Sequence, residues 1–148
     1  MMLIQPERQL IEAVFGVPVT NRYGCEEVSL IACECDVHNG LHLNAEHAYV
    51  ELLRDDGSPC APAEDSSIVV TELVNRAMPM IRYDVGDRGA PSNRTCACGR
   101  VLPLMEGVTG RLADFLVAAG GSKVAGVSLI ECTLTRFAGI RQLQLVQE

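Results

Sequence analysis

The chain has 148 residues, of which 48% are hydrophobic, enough for one ordinary core but short for two full domains. With 4% aromatic residues, no tryptophan and a formal charge of -7, it lacks the clustered cations and stacking rings by which proteins hold nucleic acid. No run of about 18 apolar residues is present for a membrane span, and charges interrupt the N-terminus where a secretory signal needs an apolar stretch, so the chain reads as cytoplasmic.

The segment PERQLIEAVFG opens with Pro6 and Glu7, spaces Leu10, Ile11, Val14 and Phe15 on one face and closes at Gly16, which predicts a helix. VPVTNRYGCEE then predicts a short strand running into a turn. Strand signals dominate from there: VSLIACEC, LHLNAEHAYVELL, SIVVTEL and MPMIRYDV show alternation or β-branched enrichment, with NG and DDGSP among the turns between them. PSNRTCACGR reads as a polar, cysteine-bearing loop, and VLPLMEGVTGR as the connection to a further break. DFLVAAGGSKVAGVSL predicts a hairpin turning at Gly120 and Gly121, LIECTLTRF a helix, and IRQLQLVQE a last strand. The fold class is therefore α+β, dominated by antiparallel strands.

Seven cysteines are too many to ignore, and an odd number in a chain of this type points to metal or buried thiols rather than a disulfide framework. Cys35 and His38 have the spacing of one half-site, and Cys96 and Cys98, flanking Ala97 ahead of Gly99, supply a second. Were they to meet, three cysteines and one histidine would form a tetrahedral set. Such a set suits structural zinc, because every position is filled and no water is left to activate. Cys33 competes with Cys35, since alternation puts both on the same face of a strand. His42 and His47, inside or beside a strand, rank behind His38, while Cys25, Cys60 and Cys132 have no partner at ligand spacing. The plainer reading is that these are free thiols, for cysteine is commonly buried.

Three short motifs follow in order: Tyr23-Gly24-Cys25-Glu26-Glu27, Arg82-Tyr83-Asp84-Val85-Gly86-Asp87 and Gly110-Arg111-Leu112-Ala113-Asp114. Singly, each reads as a turn or a solvated charge. Together they resemble the later core motifs of adenylate-forming enzymes. ECDVHNGLHLNAEH, VVTELVNRAMPMIRYDVGD, CACGRVLPLMEGVTGRLADFL and IRQLQLVQE are similar to the phenylacetate-CoA ligase family, including its capsule-biosynthesis relatives, over nearly the whole chain.

That resemblance implies a piece of an AMP-forming ligase that activates a carboxylic acid with ATP and passes the acyl group to coenzyme A. Residues 1–110 would be the C-terminal part of its large adenylation domain, mostly an antiparallel β subdomain, and 111–148 the beginning of its small C-terminal domain. It implies that Tyr23, after which Gly24 turns the chain, packs on adenine; that Glu27 acts in catalysis by helping to hold magnesium; that Asp87 accepts from the ribose hydroxyls; and that Arg111 reaches the ribose or a phosphate.

Three departures qualify it. Glu26 stands where relatives commonly have a hydroxyl or basic residue, and Ala113 where they often have an acidic hinge residue. No Ser/Thr/Gly-rich phosphate loop ending in lysine is present; Lys123, the only lysine, follows Gly120-Gly121-Ser122 in a predicted hairpin turn and comes too early for the family's catalytic lysine. The isolated chain is therefore expected to be inactive and to need its missing N-terminal part or another chain. The alternative is a non-catalytic, zinc-stapled remnant or partner-binding module.

Overall fold

The computed structural model describes residues 3, 5–111, 115–137, 139–140 and 142–147. Helix α1 spans Gln5–Phe15 and ends where the Gly16 N–H bonds the Glu12 carbonyl at 2.9 Å. None of its residues is buried, so packing does not hold it. Charge does: Arg8 donates to both oxygens of Glu34, at 2.7 and 2.8 Å, and also to the Val19 carbonyl, while Glu12 accepts from the Val19 N–H. A bidentate guanidinium–carboxylate pair fixes orientation as well as distance.

A seven-stranded antiparallel sheet follows, built from β1 (Arg22–Cys25), β2 (Ser29–Cys33), β3 (Leu41–Leu43), β4 (Ala48–Leu53), β5 (Ser66–Glu72), β6 (Tyr83–Ser92) and β7 (Leu104–Arg111). Its order is β1-β2-β3-β7-β6-β5-β4, so β7 joins one meander to the other. The predicted strand LHLNAEHAYVELL divides into β3 and β4, because the Asn44 carbonyl accepts the His47 and Ala48 N–H groups in a tight turn. MPMIRYDV becomes a strand only from Tyr83; before it, Asn75 Oδ1 accepts the Ala77 and Met78 N–H groups, and Arg82 takes a left-handed φ of 49°. The connection VLPLMEGVTGR supplies β7, whose two glycines and lack of alternation conceal it in the sequence.

Beyond it, β8 (Phe115–Val117) and β9 (Lys123–Ala125) form the expected hairpin, and α2 (Gly126–Arg136) the expected helix. The predicted closing strand is not found: the described residues 142–147 form no strand, and Gln147 instead bonds the Val117 backbone through its side-chain amide. No described helix is long and apolar enough to cross a membrane.

The core gathers Val28, Ile31, Leu41, Ile68, Val70 and Met105, each nearly or wholly buried, with Tyr23, Tyr83 and Val85 packed at its margin. Arg88 is buried beside it and satisfied by Asp65, Asp55 and the Asp65 carbonyl. The sheet is strongly curved. β1 and β6 lie four strand positions apart, about 19 Å in a flat sheet, yet the Tyr23 phenol donates to Asp87 at 2.9 Å. Only a sheet that curls around its core brings these strands together.

Candidate functional site

Two groupings of chemically capable side chains emerge. The first is Cys35, His42, Cys96 and Cys98, whose ligand atoms all lie within 4.8 Å of one another. Cys35 follows β2, His42 sits in the middle of β3, and Cys96 and Cys98 lie in the loop between β6 and β7. Cys35 Sγ is 3.5 Å from Cys96 Sγ, and Cys98 Sγ is 3.4 Å from His42 Nε2. Zinc–sulfur bonds of about 2.3 Å in a tetrahedron put ligand atoms about 3.8 Å apart, so this spread fits one ion.

The loop is shaped for such a role. Gly99 takes φ 79°, a left-handed turn that favours glycine, and its N–H bonds the Cys96 carbonyl. The Arg100 N–H then points at Cys98 Sγ from 3.5 Å. That N–H is the first reason the Cys98 thiol is drawn down to about 6; Cys96, the Arg100 side chain and Cys35 add to it against the opposing effect of burial. A sulfur held as thiolate near neutral pH is ready to bind a metal. Among the described residues His42 Nδ1 is buried with no hydrogen-bond partner, while Nε2 faces the cysteines.

His42 takes the place expected of His38. The C-x2-H turn forms, with the His38 N–H bonded to the Cys35 carbonyl, but His38 has a left-handed φ of 51° and its Nδ1 lies 3.0 Å from Glu34 Oε2, beside Arg8. His38 thus serves the Arg8–Glu34 tether. His42 was hidden by its place in a strand, although a histidine between two leucines on a fully buried strand needs a polar partner and is itself a signal. Cys33 pairs with His42 across the β2–β3 ladder but stays outside the cluster, and His47 faces Glu72 and the Val28 carbonyl.

The second grouping joins the motif residues. Gly24 is obligatory: a Cβ there would meet the Ser29 carbonyl oxygen at 2.1 Å, so only glycine lets the β1–β2 turn close. On β6 the pairing with β5 skips from Asp84 to Arg88 while β5 advances only from Val69 to Ser67, a bulge that frees the backbone around Gly86 and re-aims Asp87. Asp87 then accepts from Tyr23 Oη at 2.9 Å, and its Cα stands opposite Arg111 on β7. Glu27, in the β1–β2 turn, accepts from Tyr83 Oη at 2.9 Å. Two tyrosine–carboxylate bonds therefore tie β1 and the β1–β2 turn to β6. Ala113 lies outside the described residues.

No family model matches the chain. It is 32% identical over 117 residues to phenylacetate-coenzyme A ligase of Thermus thermophilus and 31% identical over 122 residues to that of Escherichia coli K12, alignments covering 76% and 78% of this chain. The chain is a relative of the phenylacetate-coenzyme A ligases. It spans 26% and 27% of the length of these two relatives.

Among solved structures, this phenylacetate-coenzyme A ligase relative superposes on 2-hydroxyisobutyryl-CoA ligase in its postadenylation state with a TM-score of 0.75 and 23% identity, over 90% of this chain and 29% of that one. It superposes on O-succinylbenzoate coenzyme A synthetase of Bacillus subtilis, in complex with ATP and magnesium, with a TM-score of 0.59 and 18% identity, over 88% of this chain and 29% of that one. At these identities the likeness carries the fold: an antiparallel piece of the adenylate-forming CoA ligase architecture.

Proposed function

We infer that the chain is part of an AMP-forming acyl-activating ligase, which adenylates a carboxylic acid with ATP and magnesium and then transfers the acyl group to coenzyme A. The observation that carries this reading is the Tyr23–Asp87 hydrogen bond, which unites two motifs 64 residues apart on one curled sheet. In it, Tyr23 faces adenine, Asp87 accepts from the ribose, Arg111 reaches ribose or phosphate, and Glu27 holds magnesium, a hard cation that favours carboxylate oxygen. Residues 1–110 belong to the large domain and 111–148 begin the small one; among the described residues β8 and β9 pair with each other and not with the seven-stranded sheet, which supports that division.

Zinc completes the reading. Cys35, His42, Cys96 and Cys98 would hold it with no open position, so its part is to staple loops rather than to catalyse. A reducing, cytoplasmic setting suits thiols that must stay unoxidised to do so.

The isolated chain should bind AMP with a dissociation constant on the order of 1 mM, about 4 kcal/mol, since it keeps adenine and ribose contacts but lacks a phosphate loop. Asp87→Ala should weaken binding about fivefold by removing an acceptor. NMR titration of the Gly24 and Gly86 amides reads this. Unmoved resonances in excess nucleotide would leave the non-catalytic, zinc-stapled module as the better reading.

The same chain should release no pyrophosphate with a panel of aryl and alkyl acids, because positioning of the triphosphate falls to parts it lacks, supplied by a missing N-terminal part or another chain. Turnover above about 1 per second would show the site to be complete.

A further inference from the structure

Magnesium sites built on a single carboxylate depend on how that carboxylate is aimed. Glu27 sits in the short turn between β1 and β2, where neither a helix nor a ladder holds it. Its carboxylate nevertheless accepts a hydrogen bond from Tyr83 Oη at 2.9 Å, across 56 residues of sequence. We propose that Tyr83 is a positioning residue for the metal-bound nucleotide: its phenol holds Glu27 in the orientation that receives magnesium. This rests on the nucleotide reading of the site.

Three features make Tyr83 suited to that work. Its Cα stands opposite Val70 on the β5–β6 ladder and its ring packs against the core, so the phenol has a rigid base. The preceding residue, Arg82, has a left-handed φ of 49° and is held there by the Thr71 hydroxyl, which accepts its N–H at 2.9 Å, and by Glu51, which accepts from its guanidinium at 3.0 Å. A non-glycine residue in that region is costly unless its surroundings enforce it, and here the bend delivers the chain into β6 at Tyr83 itself.

The third feature is chemical. A phenol is a neutral donor, so it orients a carboxylate without placing a positive charge where a divalent cation must sit, as arginine or lysine would. Tyr23 treats Asp87 in the same way, also at 2.9 Å, so each acidic group of the site is aimed by a tyrosine from the opposite motif.

The test compares ATP affinity with and without magnesium, by NMR titration of the full chain, for wild type, Tyr83→Phe, Glu27→Gln and the double variant. Phenylalanine keeps the ring in the core and removes only the donor. The tightening that magnesium confers on ATP should shrink about fivefold in Tyr83→Phe. The double variant should lose no more than Glu27→Gln alone, since the phenol acts through that carboxylate. A full magnesium increment in Tyr83→Phe, additive losses in the double variant, or a parallel fall in AMP, ATP and magnesium–ATP affinities would overturn the proposal while leaving the nucleotide reading intact. Absence of AMP binding by the wild type would instead remove that reading, and this proposal with it.

Discussion

Purified chain dialysed without chelator is expected to retain about one zinc ion per molecule, lost on Cys96→Ser or His42→Ala and kept on His38→Ala. The contrast between the histidines is the informative part. Spacing alone favours His38, but His42 Nε2 lies 3.4 Å from Cys98 Sγ whereas His38 Nδ1 is 3.0 Å from Glu34. The effect on stability should be large, because structural zinc contributes about 10–16 kcal/mol of apparent binding energy, as much as the whole stability of an ordinary domain. Chelation should lower the unfolding midpoint by at least about 15 °C, or abolish the cooperative transition. Elemental analysis with thermal unfolding decides it: metal-free protein of undiminished stability would sink the site, and zinc lost on His38→Ala but kept on His42→Ala would restore the spacing-based assignment.

Breaking the Arg8–Glu34 pair should have the next largest effect, because α1 buries no residue of its own and is held by this pair. Both side chains are about a tenth exposed, at 11% and 9%, so removing one partner strands the other largely out of water. Glu34→Ala is expected to cost about 3 kcal/mol and to release α1 from the sheet. Burial pushes the Glu34 carboxyl up, but the Arg8 guanidinium, the Asn21 N–H and His38 together outweigh it and hold the carboxyl below its ordinary 4.5.

A folded-state value that is depressed means that the contribution is fully present above 4.5 and disappears as pH falls through the folded value. The stability difference between wild type and Glu34→Ala should accordingly be widest near neutrality and close in acid. Urea unfolding across that range measures it, with zinc content followed in parallel to separate ligand protonation. A difference below about 0.5 kcal/mol at neutral pH would mean that the pair is an exposed contact of little worth.

Much of this protein is local and therefore legible. The helical spacing of Leu10, Ile11, Val14 and Phe15 with Gly16 behind them marks α1, although that apolar face stays exposed, and Gly120-Gly121 between apolar runs marks the β8–β9 hairpin. The Cys96-Ala97-Cys98-Gly99 turn marks half of the cysteine–histidine cluster by chemistry and spacing, and the first two motifs hold the partners of the Tyr23–Asp87 and Tyr83–Glu27 bonds.

What the tertiary structure alone decided is whatever depends on strands distant in sequence meeting in space. LMEGVTGR became β7 because β3 and β6 flank it and supply its ladder partners, which no local propensity records. The cluster gathers His42 rather than His38 because membership depends on where the ring nitrogen lies: the left-handed turn at His38 goes with a ring beside Glu34, while β3 carries His42 between the Cys35 loop and the Cys96–Cys98 loop. The Tyr23–Asp87 and Tyr83–Glu27 bonds exist because the sheet curls, and curvature belongs to the packed core, where Ile31, Ile68 and Met105 must be enclosed from several strands at once.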